Sequence, residues 1–161
     1  MATTMETSAQ RIAPFLWFNG NVEEALKFYT SVFKDSSIGS VSHLDTGAYG
    51  TVTVASFFLN GVEFMILDGG PQFKFNESIS FYVKCETQDE VDHYWEELSK
   101  GGEKSQCGWL KDKFGVSWQI VPNAMVTLMY DSDPEKSKRV MSAMMKMSKL
   151  IIADLEKAYE G

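Results

Sequence analysis

Few residues in this sequence have both the type and the spacing to do chemistry. Asp68 and Glu77 lie in the Gly- and Pro-punctuated stretch between two strand-like segments and could relay a proton. Neither has a histidine or second carboxylate at a readable spacing. Ser78 and Ser80 have no identifiable base, so nucleophilic catalysis has no support. The only two histidines are His43, in an exposed-looking strand, and His93, which faces away from its helix's apolar stripe. Both read as solvated surface residues. Cys85 and Cys107 lack the CxxC spacing of a redox pair and read as buried, reduced thiols of a cytoplasmic protein. Residues Met65–Pro71, MILDGGP, resemble the strand-then-glycine turn that holds a nucleotide-like cofactor. Such a turn must open a helix, and Gln72–Phe75 has no helical periodicity. Gly69-Gly70-Pro71 therefore reads as a bend between two halves.

The remaining candidate is Gln119, in the stretch CGWLKDKFGVSWQIVP (Cys107–Pro122). Gly108–Leu110 runs into a polar turn, Lys111-Asp112-Lys113-Phe114-Gly115, and the chain returns as Val116–Val121, stopped by Pro122. Asp and Gly supply the backbone freedom of a hairpin. Val116, Trp118 and Ile120 share one face of the return strand, and Ser117, Gln119 and Val121 share the other. The second face is expected to line a mostly dry cavity, with Gln119 pointing into it.

The elements that must position this stretch fall into two similar halves. In the first, Ile12–Phe18 reads as a strand and Asn21 as the cap of a helix ending near Lys34. Its apolar face is Val22, Ala25, Leu26, Tyr29, Val32 and Phe33. Strands at Ile38–Leu44, Thr51–Leu59 and Val62–Leu67 follow, the last two joined by Asn60-Gly61, the strongest hairpin signal in the chain. In the second half, Ser78–Cys85 is a strand and Thr87 with Glu90 forms a capping box. Val91, Tyr94, Trp95 and Leu98 stripe the helix, and Gly101-Gly102 ends it. A strand near Glu103–Gln106 and the hairpin complete the repeat. After Pro122, three helices are predicted at Asn123–Tyr130, Pro134–Met147 and about Ile151–Tyr159, the middle one capped by Ser132 or Asp133. Their methionines read as core or interface filler.

The chain has 161 residues, 44% of them hydrophobic and 13% aromatic, which is enough for a folded core. A formal charge of −7 without a Lys/Arg cluster argues against nucleic acid and anionic membranes as partners. No apolar run approaches a membrane span. Residues 1–10, MATTMETSAQ, carry no signal-peptide pattern and read as a disordered tail.

Two βαβββ modules in tandem resemble the vicinal oxygen chelate superfamily of glyoxalases, ring-cleaving dioxygenases and bleomycin-resistance proteins. The resemblance sharpens at FNGNVEEALKFY (Phe18–Tyr29), LDGGPQFKFNESISF (Leu67–Phe81) and CGWLKDKFGVSWQIVP. These motifs are similar to the PhnB-like branch, whose members carry the name 3-demethylubiquinone-9 3-methyltransferase. The implied fold is α+β: two tandem βαβββ modules forming a cup-shaped mixed sheet, plus C-terminal helices. The implied boundaries are 11–70 and 71–122 for the modules and 123–161 for the helical extension. In the superfamily's metalloenzymes, His and Glu from the first and last strands of each module hold a divalent metal. The matching positions here are Pro14, the Phe64–Ile66 segment, Ser78 or Ser80, and Gln119. None is a usual ligand, so neither a metal nor any other cofactor is expected.

Matching parity places Leu16, Phe18, Ser78 or Ser80, Tyr82, Ser117 and Gln119 on the concave faces, with Trp109 and Asp68 near the mouth. The expected function is metal-free binding of a small, partly aromatic molecule. The alternatives are a metal-dependent isomerase or lyase of the same superfamily, and a dimeric scaffold with a partner-binding tail. The resemblance also implies a homodimer, and unprotected sheet edges point the same way.

Overall fold

The computed structural model describes residues 10–161. The expected tail over residues 1–10 lies outside them apart from Gln10, whose side-chain amide bonds both backbone groups of Glu63. The chain divides into two compact units, one ending at Lys74 and the other beginning at Phe75. The first unit contains β1 (Phe15–Phe18), α1 (Val22–Val32), β2 (Ser36–Asp45), a short 3-10 turn at Gly47–Tyr49, β3 (Thr51–Leu59) and β4 (Val62–Asp68). The second contains β5 (Ser80–Cys85), α2 (Gln88–Ser99), β6 (Glu103–Lys104), β7 (Trp109–Lys111) and β8 (Ser117–Pro122). It ends in α3 (Asn123–Met129), α4 (Pro134–Met144) and α5 (Ile152–Glu160). The four-stranded sheets share one topology, β1-β4-β3-β2 and β5-β8-β7-β6. In each, the first strand lies parallel to the last and the other pairs are antiparallel. The α+β class and the repeat are as the sequence predicts.

In the first unit, the apolar stripe of α1 covers one face of the sheet. Tyr29 stacks on Phe57 with centroids 5.7 Å apart, and Phe57 stacks on its cross-strand partner Phe64 at 5.2 Å. Such rings contribute both buried area and a further increment from ring geometry. Asn60 and Gly61 both have positive φ, 49° and 78°, as a two-residue hairpin of this hand requires. Asn21 does not cap α1 with its side chain; it adopts φ 61° and makes no cap bond. The entry to the helix is held instead by Asp68, whose Oδ1 accepts from the Gly20 N–H at 2.6 Å.

In the second unit, Val91, Trp95 and Leu98 of α2 are buried, as are Leu110, Trp118 and Ile120 of the sheet. Thr87 accepts from the Glu90 N–H, but the Glu90 carboxylate reaches back to Glu86 N–H rather than to the cap residue. The hairpin turn is held by Asp112, only 2% exposed. Its Oδ1 accepts from the Phe114 and Val116 N–H groups, and its Oδ2 from the Trp118 indole at 2.9 Å.

The tail helices pack on their own unit. Met125, Val140, Leu150 and Leu155 form a buried cluster around Val121 at the end of β8. Asp133 caps α4 with Pro134 in the first turn, as expected, but the helix ends at Met144 rather than Met147. The segment beyond it lies along the β6–β7 connection. Cys107 and Gly108 donate their N–H groups to Met147 O and Ser148 O, both at 2.8 Å. β6 covers two residues instead of the predicted four, since the chain turns at Gln106–Trp109, where Trp109 N–H donates to Gln106 O and Cys107 and Gly108 take positive φ.

Candidate functional site

Strand register sorts the side chains of each unit into a helix-covered face and an open face, because cross-strand partners share a side of the sheet. In the second unit, two rows cross the open face. Ser80, Ser117, Lys111 and Glu103 form one, on β5, β8, β7 and β6 in turn. Tyr82, Gln119 and Trp109 form the next. Trp109, Lys111, Ser117 and Glu103 line a cavity of about 350 Å³, together with Glu77, Ser105 and Leu110.

The chemistry of this face is that of neutral hydrogen-bonding groups, one ion pair and the further carboxylate of Glu103. Gln119 Nε2 donates to Ser80 Oγ at 2.8 Å. Ser117 is 1% exposed, and its Oγ is the one buried side-chain polar atom without a hydrogen-bond partner among the described residues. An unmet hydroxyl in such a place costs about 1–3 kcal/mol unless a ligand or water meets it. Glu77 pairs with the Lys111 ammonium. That contact holds the Glu77 carboxyl below its usual range and the Lys111 ammonium above its own. Burial pushes the Tyr82 phenol up, and Tyr130 and Cys85 add to the shift. Cys85, on the helix-covered face, is pushed up to about 12 by burial and by Glu90, so its thiol stays protonated and unreactive at neutral pH.

The structure therefore gathers Ser80, Tyr82, Trp109, Ser117 and Gln119 on one face. Of these only Trp109 and Ser117 line the cavity; Gln119, expected to point into it, is turned to Ser80 instead. The structure does not bring Ser78 to this face: that residue precedes β5 and is tied by its N–H and hydroxyl to Asn76 Oδ1. Leu16 and Phe18 are a correction. Leu16 pairs with Ile66, and Ile66 follows Phe64 on the side where Phe57 meets α1. Both residues are thus buried on the helix-covered face. Trp17 and Leu67 stand on the open face and line a separate cavity of the first unit, about 600 Å³, with Val52 and Asp68. The sequence FLWF is apolar at every position, so periodicity carries no information about which side faces the helix. Sequence reasoning also missed Lys111 and Glu103. Their place on the face depends on the register across two turns, β7–β8 for Lys111 and β6–β7 for Glu103.

A family profile described as 3-demethylubiquinone-9 3-methyltransferase matches residues 10–121. The chain belongs to this family. A PhnB protein from Bacillus cereus, described under the same methyltransferase name, is 40% identical with a TM-score of 0.64. The match covers 70% of this chain and 99% of that one. A protein from Pseudomonas aeruginosa is 19% identical over 71% of this chain and 98% of its own, with a TM-score of 0.61. FosX, a fosfomycin resistance protein from Listeria monocytogenes crystallised with Mn(II) and sulfate, is 17% identical. Its TM-score is 0.50, with coverage of 68% of this chain and 88% of that one. These two share the fold, which is that of the vicinal oxygen chelate superfamily. No curated protein sequence matches the chain.

Neither group that these names bring to mind fits the residues of this PhnB-like chain. A divalent metal wants carboxylate or imidazole donors, whereas the positions carried over are Pro14, the Phe64–Ile66 segment, Ser78 or Ser80, and Gln119, and within that segment only Met65 stands on the open face. Among the described residues, no three His, Cys, Asp or Glu side chains come together as a metal site. A nucleotide-like cofactor would need an open glycine turn leading into a helix. Here Trp17 closes that turn: its indole donates to Gly70 O at 3.0 Å, and a Cβ on Gly69 would stand 2.1 Å from the ring. No described helix is long and apolar enough to cross a membrane.

Proposed function

We propose that this PhnB-like protein is a metal-free binder of a small, partly aromatic molecule, held on the open face of its second unit. The observation that carries the reading is Ser117 Oγ, buried without a partner on the wall of a cavity that also holds the Trp109 indole. The cavity joins two apolar residues, Trp109 and Leu110, to polar and charged ones that can orient a small molecule. Gln119 and Ser80 satisfy one another and form a polar patch in the adjoining rows. The working form we propose is a cytoplasmic homodimer. Supporting that, β2 is a ten-residue edge strand with Ile38, Val41 and Leu44 exposed, a surface that isolated monomers ordinarily protect.

Elemental analysis of the purified protein tests the first part, with less than a tenth of an equivalent of Zn, Ni, Mn or Fe per chain expected. One tightly bound ion per chain would overturn it in favour of a metal-dependent isomerase or lyase. Titration with small hydroxyaryl compounds should quench tryptophan fluorescence, and Ser117→Ala should weaken that binding while leaving the fold intact. Light scattering at micromolar concentration should give the mass of two chains.

A further inference from the structure

The charge of the ligand can be read from the cavity wall of the second unit. That wall carries two carboxylates, Glu77 and Glu103, and one ammonium, Lys111. Lys111 is already committed to Glu77. An entering anion would have to displace Glu77 from it, leaving that carboxylate unpaired beside the new negative charge. Glu103 stands across from Lys111 in register and adds to the stabilisation of its charged form. With Glu77 and Lys111 cancelling, Glu103 leaves the wall net negative. The protein's overall charge of −7 adds a long-range field of the same sign. Trp109 offers an indole face, which favours flat rings and cations alike. Ser117 Oγ, buried and unpartnered, is independent of these charges and calls for a hydrogen-bonding group on the ligand.

We propose that this cavity selects a small hydroxyaryl-alkylamine in its protonated form. The ring lies against Trp109, the ammonium lies at Glu103, and the hydroxyl meets Ser117. The proposal rests on the binding role proposed above and adds the sign of the ligand's charge. It sets this cavity against phosphonates, carboxylates and other small anions.

The test uses three probes that share a 4-hydroxyphenyl ring and differ in the terminal group: tyramine (cationic), tyrosol (neutral) and 4-hydroxyphenylacetate (anionic). Calorimetric titration of the full-length protein at low salt should rank them in that order. Because Glu103 is exposed, the advantage of tyramine over tyrosol should be roughly two- to fivefold. It should shrink as salt is added. Glu103→Gln should bring tyramine level with tyrosol by removing its charge-dependent advantage. Ser117→Ala should weaken tyramine and tyrosol alike. If tyrosol or 4-hydroxyphenylacetate bound as tightly as tyramine, or if Glu103→Gln left the ranking unchanged, the charge selection would be overturned while the binding role stood. If none of the three bound at millimolar concentration, both would fall together.

Discussion

The two units have the same strand order and the same helix packed on one side, yet their open faces differ in kind. In the first, the rows Phe15–Met65–Ser56 and Trp17–Leu67–Val54 run across β1, β4 and β3, with Ser56 their one polar member. In the second, the corresponding rows are Ser80–Ser117–Lys111 and Tyr82–Gln119–Trp109, with Trp109 their one member without a polar duty on the sheet. The helix-covered faces are both apolar, because each must exclude water beneath a helix. Alternate residues of a strand answer to separate constraints. The scaffold residues can therefore stay apolar while the residues between them take on a chemistry of their own. A polar open face makes demands that an apolar one does not: every hydroxyl, amide and charge that loses water there needs a partner. The Gln119–Ser80 bond and the Glu77–Lys111 pair meet that demand, and Ser117 is where it goes unmet.

The same contrast runs through the aspartates at the sheet edges and supplies the largest expected effect. Asp112 is almost fully buried and accepts three hydrogen bonds, one from the indole of Trp118. Asp68 is partly buried and accepts one, from Gly20. Asp112→Ala orphans three donors in the hairpin that carries β7 and β8 and should cost about 3–5 kcal/mol in chemical denaturation. Asp68→Ala should cost about 0.5–1.5 kcal/mol. Equal losses would break the claim that polar wiring holds the second unit's hairpin while packing holds the first.

In the first unit the sensitive point is a close approach. Gly69 lies flat against the Trp17 ring, with room for no side chain, and Phe73 meets the same ring edge-on at 5.0 Å. Gly69→Ala should force the indole away, break its bond to Gly70 O and cost about 1–3 kcal/mol. Its tryptophan emission should shift towards that of a more exposed indole. An unchanged spectrum with unchanged stability would mean that Trp17 is not seated as described.

How far these features could be read from the sequence depended on whether their causes were local. Asn60-Gly61, the Thr87 cap and the stripe of α2 are fixed by neighbours within a few residues, and each was legible. Half of the candidate site followed as well, since Ser117 and Gln119 alternate with Trp118 and Ile120 along a single strand. The remainder depended on distant parts of the chain. The sidedness of β1 is set by α1 packing on Leu16 and Phe18, and the connection after β6 is held by backbone groups of Met147 and Ser148. The row Ser117–Lys111–Glu103 requires the register across two turns, which composition does not supply. Asp112 read as a turn former because its partner Trp118 lies beyond the turn.

The smallest expected effect concerns the ion pair on the polar face, and it separates charge from shape. Glu77 is held below its ordinary pKa by Lys111, so the pair's contribution is present above the range of a free glutamate. It is lost as pH falls through the lowered folded value. Lys111 is held above its ordinary pKa, so its contribution is present below the range of a free lysine and is lost as pH rises through the raised folded value. Between these limits the pair stands, and both partners are solvent-exposed enough for salt to weaken it. Glu77→Gln should therefore lower the unfolding midpoint slightly at neutral pH and low salt. The deficit should vanish below the folded pKa of Glu77, and again at high salt. A deficit that persisted unchanged in acid would assign the contact to packing rather than charge. The same variant frees the Lys111 ammonium, so 4-hydroxyphenylacetate should bind it more tightly than it binds the parent protein. Were the anion still rejected, Glu77 would not be what keeps Lys111 from it, and the contrast between the faces would lie in hydrogen bonding alone.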